Sequence, residues 1–163
     1  MTQKKQSIEY RLLVQPTFDE TLKKAGILFL LETSKQFTNF SYVIDVKEEV
    51  KGDRVIWTLR GLRAPSMNMP ATGTAQFHTV YFDLPKKVHF TLVKKDKIKA
   101  DTEFTFSAAA FKSTKETSSF LRIYTDQHEF QTNRINDVVM AEPKPDIHRD
   151  PAVKKQKIKK TKP

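Results

Sequence analysis

The feature that most constrains this chain is the alternation of apolar and polar side chains in several short stretches. Between residues 40 and 47, apolar side chains occupy every second position: Phe40, Tyr42, Ile44 and Val46. Residues 88–92 repeat the pattern, with Val88, Phe90 and Leu92 in the apolar set. A period of two places successive side chains on opposite faces of a β-strand. The sequence therefore predicts half-buried strands with these apolar side chains turned inward.

Short strands separated by turn residues are typical of an all-β domain. We predict a single antiparallel β-sandwich of about seven to nine strands, with one or two short helices at its margins. A closed β-barrel is the alternative, and its interior could hold a ligand where a sandwich core would be filled. The predicted antiparallel β domain covers residues 1–141. Residues 142–163 are rich in proline and lysine and predict a disordered basic tail.

Several local patterns predict individual elements near the N-terminus. Ile8–Val14 is rich in β-forming residues and is followed by Pro16, which should end a first strand. Thr17-Phe-Asp-Glu20 has the form of a capping box and predicts a short helix over Phe18–Ala25. A strand over Ile27–Glu32 should follow it.

Later patterns predict two hairpins and a second helix. A turn at Lys51-Gly52 would place Val46 opposite Trp57. Residues 74–95 would form a central hairpin about Leu84-Pro85. Asp126-x-x-Glu129 would cap a short helix that ends at Arg134.

The predicted strands that remain lie in the second half of the chain. One covers Glu103–Phe111 and another covers Phe120–Thr125, and Val138–Ala141 would form a last edge strand.

The net charge of +10 is concentrated in the tail, where residues 144–163 contain eight Lys or Arg and two Asp or Glu, a net +6. Lysines close to phosphate gain free energy by releasing counterions, which needs no defined geometry. The tail is therefore a candidate tether to RNA, DNA or an acidic protein, and the alternative is a solubilising terminus without a partner. The lysines expected to bind are Lys154, Lys155, Lys157, Lys159 and Lys160.

Two further sets of residues are candidates for binding. Arg60 and Arg63 lie along or just after one predicted strand, and the loop after them contains Met67, Asn68 and Met69. Thioethers and imidazoles bind copper, so Met67 and Met69 form a weak candidate metal set with His78 and His89. The alternative is that the loop packs its methionines over the end of the core and that both histidines are exposed.

Composition excludes several functions. Cysteine is absent, so the chain has no disulfide, thiolate nucleophile or zinc ribbon. No Walker loop, GxSxG elbow, GxGxxG or HExxH pattern occurs, and we expect neither a cofactor nor a catalytic site. The longest apolar run, Ile27–Leu31, is too short to span a bilayer, and no signal peptide is evident. We therefore expect a cytoplasmic protein.

Three functions fit these observations. The first is a non-enzymatic binding or interaction module whose tail holds an anionic partner. The second is a carrier of a hydrophobic small molecule, favoured by the twelve phenylalanines. The third is an enzyme with a dispersed site. A protein partner or a homodimer formed through an exposed sheet edge is also compatible with the sequence.

Overall fold

The computed structural model describes residues 8–39, 41–64, 66, 72–95, 97–107, 111–114 and 118–134. These residues form nine strands and one short helix. The strands are β1 (Tyr10–Asp19), β2 (Lys24–Phe37), β3 (Val43–Lys51), β4 (Arg54–Arg63), β5 (Gly73–Tyr81), β6 (Lys87–Val93), β7 (Lys99–Phe106), β8 (Phe111–Ser113) and β9 (Leu121–Tyr124). The helix, α1, covers Gln127–Thr132. The predicted edge strand at Val138–Ala141 and the basic tail lie outside the described residues.

All nine strands belong to one sheet with the order β8-β7-β6-β4-β3-β5-β2-β1-β9, which curls into half of a barrel. The all-β prediction is confirmed. The arrangement is mixed, because β1–β9, β3–β5 and β4–β6 are parallel pairs. The expectation of a purely antiparallel sandwich is therefore not met by this sheet. Within the described ranges, no helix has the length and apolar character needed to cross a bilayer.

The predicted central hairpin over residues 74–95 is wrong. β5 pairs with β2 and, at Val43–Gln76, with β3, whereas β6 pairs with β4 and β7. Residues 82–86 are therefore a crossover between two parts of the sheet. The alternation predicted correctly that Val88, Phe90 and Leu92 are buried. It could not predict which strands are neighbours, because two strands can face the same core without being paired with each other.

The predicted helix at Phe18–Ala25 is also wrong, because this segment is the end of a β-hairpin. Phe18 lies opposite Ala25 across β1 and β2. The Asp19 carboxylate accepts hydrogen bonds of 2.8 Å from the backbone N–H groups of Thr21 and Leu22, which closes the turn. Pro16 does not end β1. β9 pairs with β1 only over Tyr10–Leu13, so Pro16 lies where β1 is an edge strand, a position that tolerates proline.

The β3–β4 hairpin is confirmed with a shifted register. The turn is Gly52-Asp53, where Gly52 adopts a positive φ of 59° that favours glycine. Val46 therefore lies opposite Leu59, not Trp57, although all three side chains keep the predicted face. A β-bulge follows, since Arg60 has no partner on β3.

The prediction for the second helix is confirmed at its start, because the Asp126 side chain accepts from the backbone N–H of Glu129 at the N-terminus of α1.

The concave face of the sheet carries the main core, which consists largely of aromatic rings. The Phe29 ring lies 5.8 Å from Trp57, 5.7 Å from Phe90 and 5.8 Å from Phe104, measured between ring centroids. These are distances at which aromatic pairs attract each other. On the convex face, α1 packs Phe130 against Leu13 and Tyr124 in a second, smaller cluster.

A candidate anion-binding groove

An open groove of about 610 Å³ lies where β3 meets β5. The position follows from alternation along β5, where Thr74, Gln76 and His78 point away from the core side chain of Ala75. Tyr42 and β5 meet at a backbone hydrogen bond of 3.4 Å from the Gln76 N–H to the Tyr42 carbonyl. The basic groove, as we call it, is lined by Ser41, Tyr42, Val43, Arg63, Thr72, Gly73, Thr74, Gln76, Phe77, His78 and Arg134.

Arg63 lies at the end of β4, opposite Val43 on β3. Its Nε atom is 3.8 Å from the Asp45 Oδ1 atom, and two thirds of its side chain is exposed. An exposed pair at this distance contributes little to stability, so Arg63 can exchange Asp45 for another anion at small cost.

Arg134 follows α1 and also lines the basic groove. Its Nη2 atom donates to Thr74 Oγ1 at 3.1 Å and to Glu32 Oε2 at 3.3 Å. The side chain is 42% exposed, although Glu32 itself is fully buried. Arg134 is therefore held at its tip through Nη2, and its Nε atom is buried.

A buried ion pair beneath α1 holds Glu32 in place. Glu32 Oε1 lies 2.5 Å from Arg11 Nη1, and neither side chain is exposed. The second oxygen, Oε2, also accepts from Thr74 at 3.1 Å and from Gln76 at 3.2 Å. Arg11 in turn donates to the Phe130 carbonyl and lies 4.3 Å from the centre of the Phe130 ring. This network joins α1 to the sheet and sets the position of the groove wall.

The charge of the groove is positive. Arg63 and Arg134 line it together with His78, and no Asp or Glu is among its described lining residues. The nearest carboxylates, Asp45 and Glu32, are those already paired with the two arginines. Clefts lined by charge of one sign concentrate ions of the opposite sign. The chemistry of the groove is thus suited to an anion.

Of the predicted binding set, the described groove lining contains Arg63. Arg60, in contrast, is an exposed bulge residue outside its lining. Residues 67–69 and Lys154, Lys155, Lys157, Lys159 and Lys160 lie outside the described residues. However, Arg63 and Thr72, which flank the methionine loop, both line the groove, and so does Arg134, the last described residue before the tail.

The candidate metal set would need His78 close to His89, but β3 and β4 lie between their strands in the sheet. His78 lines the basic groove. His89 lies elsewhere, with Nε2 3.8 Å from Asp53 and Nδ1 3.5 Å from Glu103. Met67 and Met69 lie outside the described residues, and the described residues contain no group of three His, Asp or Glu that could hold a metal ion.

Sequence reasoning missed Gln76 and Arg134 as groove residues, whereas it correctly placed Tyr42 on the core face of its strand. A signal for the supporting network was present in the sequence, since Arg11 and Glu32 each interrupt an apolar strand. Charged side chains in such positions are rarely buried unless they are paired. Their pairing with each other, and with Arg134, depends on strand neighbours that the sequence pattern does not specify.

Comparisons with protein-family models, with curated proteins and with solved structures found no match to this chain.

Proposed function

We propose that this chain is a non-enzymatic binding module for an anionic macromolecule, which is held by the basic groove and by the basic tail (residues 142–163). The observation that carries the proposal is the position of Arg134 in the groove wall. The tail begins at residue 142, eight residues after Arg134, so the groove wall and the tail are close along the chain. A partner in the groove would lie within reach of tail lysines.

The filled core supports a binding module over a carrier of hydrophobic ligands. Rings of Phe29, Trp57, Phe77, Phe90 and Phe104 contact one another across the concave face, with the Trp57–Phe77 and Trp57–Phe90 centroids 5.0 and 5.3 Å apart. The phenylalanine content that favoured a carrier is therefore largely accounted for by packing between side chains. The basic groove, in contrast, is open to solvent and has two arginines in its lining.

Removal of the tail tests the proposal. A variant that ends at Ala141 should keep its circular dichroism spectrum and bind a DNA duplex and heparin more weakly than the full chain. Each lost phosphate contact should reduce the slope of log affinity against log salt by about 0.9 for duplex DNA. Fluorescence anisotropy at several salt concentrations measures both quantities.

A variant of full length separates charge from chain length. Substitution of Lys154, Lys155, Lys157, Lys159 and Lys160 by glutamine should reproduce most of the loss caused by truncation, because it removes the charge and keeps the residues. Equal affinity and equal salt slope in the full chain and both variants would disprove the role of the tail. A full chain that binds no polyanion at low salt would disprove the proposed function as a whole.

A further inference from the structure

We infer that the turn between β6 and β7 binds the phosphate backbone of a nucleic acid through Lys95, Lys97 and Lys99. Arg60, at the same end of the neighbouring strand β4, belongs to the same surface, which we call the lysine surface (Arg60, Lys95, Lys97 and Lys99). The inference rests on the proposed function and names the class of its anionic partner. It depends on the free charge of these side chains, on their placement at one end of the sheet, and on the density of that charge.

The lysine surface carries charge that no described carboxylate neutralises. Residues 94–99 contain four lysines and one aspartate, a net +3. The Lys94 amine is held by Glu9, at 2.7 and 2.9 Å from the two carboxylate oxygens. Lys95, Lys97 and Lys99 are exposed, and none of them forms an ion pair with a carboxylate in the described part of the chain. These three side chains can therefore meet an external anion without breaking such a contact.

The order of the strands brings the cations together. Strand β6 lies between β7 and β4, so the end of β6 has Lys99 on one side and Arg60 on the other. Lys95 and Gly61, the residue after Arg60, line the same open groove of about 550 Å³. Because neighbouring strands lie about 4.8 Å apart, the cations of β4 and β7 are separated by roughly 10 Å across the sheet.

The backbone of the turn holds Lys97 in a conformation that lysine rarely adopts. The Lys94 N–H donates to the Ile98 carbonyl at 2.8 Å, and the Lys97 N–H donates to the Lys94 carbonyl at 2.9 Å. Lys97 has a φ of 65°, in the left-handed region that favours glycine. The lysine therefore adds charge at a position where glycine would suit the backbone better.

The density of charge favours a nucleic acid over an acidic protein. A DNA duplex carries one negative charge for about every 1.7 Å of its axis, so about six phosphates lie along a span of roughly 10 Å. An extended acidic peptide presents a side chain to one face only about every 6.7 Å. Lysine is also a point charge that binds phosphate without a fixed geometry, which suits contacts to the backbone and not to base edges.

A membrane surface fits the lysine surface less well. Ile98 is the one large apolar side chain exposed in the described part of the turn, at 49%. Proteins that lie on a membrane surface bury a whole apolar face besides their basic residues. The turn thus has the charge for such binding but not the apolar area.

The experiment compares two variants of the full chain that have the same net charge. In the first, the three lysines of the lysine surface are replaced by glutamine. In the second, glutamine replaces three lysines towards the start of β6 that each lie 2.8–3.0 Å from a carboxylate oxygen: Lys23, Lys24 and Lys87. Both variants and the wild type are titrated against a fluorescent DNA duplex over a series of salt concentrations.

The first variant should lower the slope of log affinity against log salt by about 2.7, which is 0.9 for each of three lost phosphate contacts. The second variant should keep the slope of the wild type, because its lysines are already paired. Equal slopes in the two variants would contradict the inference, since net charge alone would then explain the effect.

A single substitution separates binding from folding. Lys97→Gly should lower the salt slope by about 0.9, the value for one phosphate contact. It should also leave the midpoint of urea unfolding unchanged or raise it, because glycine suits the left-handed backbone at this position. A weaker affinity in this variant could then not be assigned to misfolding, and an unchanged slope would exclude Lys97 from the phosphate contacts.

The outcomes distinguish the two proposals. If the first variant binds the duplex as the wild type does, while a chain that ends at Ala141 binds more weakly, the inference is wrong and the proposed function stands. Polyglutamate and vesicles of equal parts phosphatidylglycerol and phosphatidylcholine are the competing probes. If either binds more tightly than the duplex and the first variant weakens it, the partner is an acidic protein or a membrane and the inference is wrong. A full chain that binds none of the three probes disproves the proposed function as well.

Discussion

The Tyr81 side chain links β5 to β3 and β4 beyond the point at which β3 and β5 are paired. Its hydroxyl accepts a 2.9 Å hydrogen bond from Trp57 Nε1 and donates to the Glu48 carboxylate. Trp57 is fully buried, so Tyr81 satisfies a donor that could not reach water. Burial, together with the hydrogen bond to Glu48, raises the pKa of Tyr81 above its ordinary value of 10.0.

Tyr81→Phe should lower the free energy of unfolding by about 1–3 kcal/mol near neutral pH, because Trp57 Nε1 loses its acceptor. A raised pKa means that the stability from the protonated hydroxyl is complete below pH 10 and is lost as the pH rises towards the folded-state pKa. The difference between the wild type and Tyr81→Phe should therefore narrow above pH 10. Urea unfolding at about pH 7, 9 and 11 measures it.

The pKa of Tyr10 is also raised, chiefly because Tyr10 is buried. Tyr10 is present in both the wild type and Tyr81→Phe, so its effect on stability cancels when the two are compared. If the difference in unfolding free energy between the wild type and Tyr81→Phe stays constant or widens above pH 10, the Tyr81 hydroxyl does not contribute as described.

At Gly26, the backbone of β2 packs closely against the side chains of Val80 and Phe82. A Cβ atom placed there would lie 2.7 Å from Val80 Cγ1 and 3.0 Å from Phe82 Cδ1. Gly26→Ala should therefore lower the free energy of unfolding by about 1–3 kcal/mol, the usual cost of forcing extra atoms into a packed region. Gly73→Ala is the matched control, because a Cβ atom at Gly73 meets nothing within 4 Å. Chemical denaturation of both variants measures the effect, and equal losses would contradict the close approach.

The individual strands show what local sequence can predict. Alternation identified β3 and β6 and their inward faces, because period two is a property of a few consecutive residues. The capping-box pattern at Thr17–Glu20 gave a wrong prediction of a helix, because the same residues lie at the end of a β-hairpin in which Phe18 pairs with Ala25. Tertiary pairing outweighed a local signal worth about 1 kcal/mol. The equivalent signal at Asp126 was correct, because α1 has a packed face of its own in Phe130.

For the molecule as a whole, the sequence predicted strands but not their order. The basic groove combines residues near positions 42, 63, 76 and 134, which meet only because β3 lies beside β5 and α1 packs across β1. Arg63 was identifiable as a binding candidate because charge is visible in the sequence. Arg134 and Tyr42 were not identifiable, because they reach the groove only through pairing between segments that are far apart in the sequence. The entropy lost when such long loops close, and the burial gained, are not encoded in any short sequence pattern.

The same long-range pairing joins residues 118–134 to the start of the sheet. β9 lies parallel to β1, more than a hundred residues away in the chain, and α1 covers the convex face beside it. This segment supplies four buried side chains to the two clusters: Phe120, Leu121, Tyr124 and Phe130.

We expect a chain that ends at Arg134 to unfold in one cooperative transition close to that of the full protein, and a chain that ends at residue 117 to be unfolded. Burial of four large apolar side chains contributes roughly 1.5–3 kcal/mol each, which together matches the total stability of about 5–15 kcal/mol typical of a domain. The longer variant keeps all four, together with Arg134 and its contact to Glu32. Differential scanning calorimetry and near-ultraviolet circular dichroism of both variants provide the measurement. Cooperative unfolding of the shorter chain near the temperature of the full protein would show that β9 and α1 are accessory to the sheet, and that the wall of the basic groove is not part of its core.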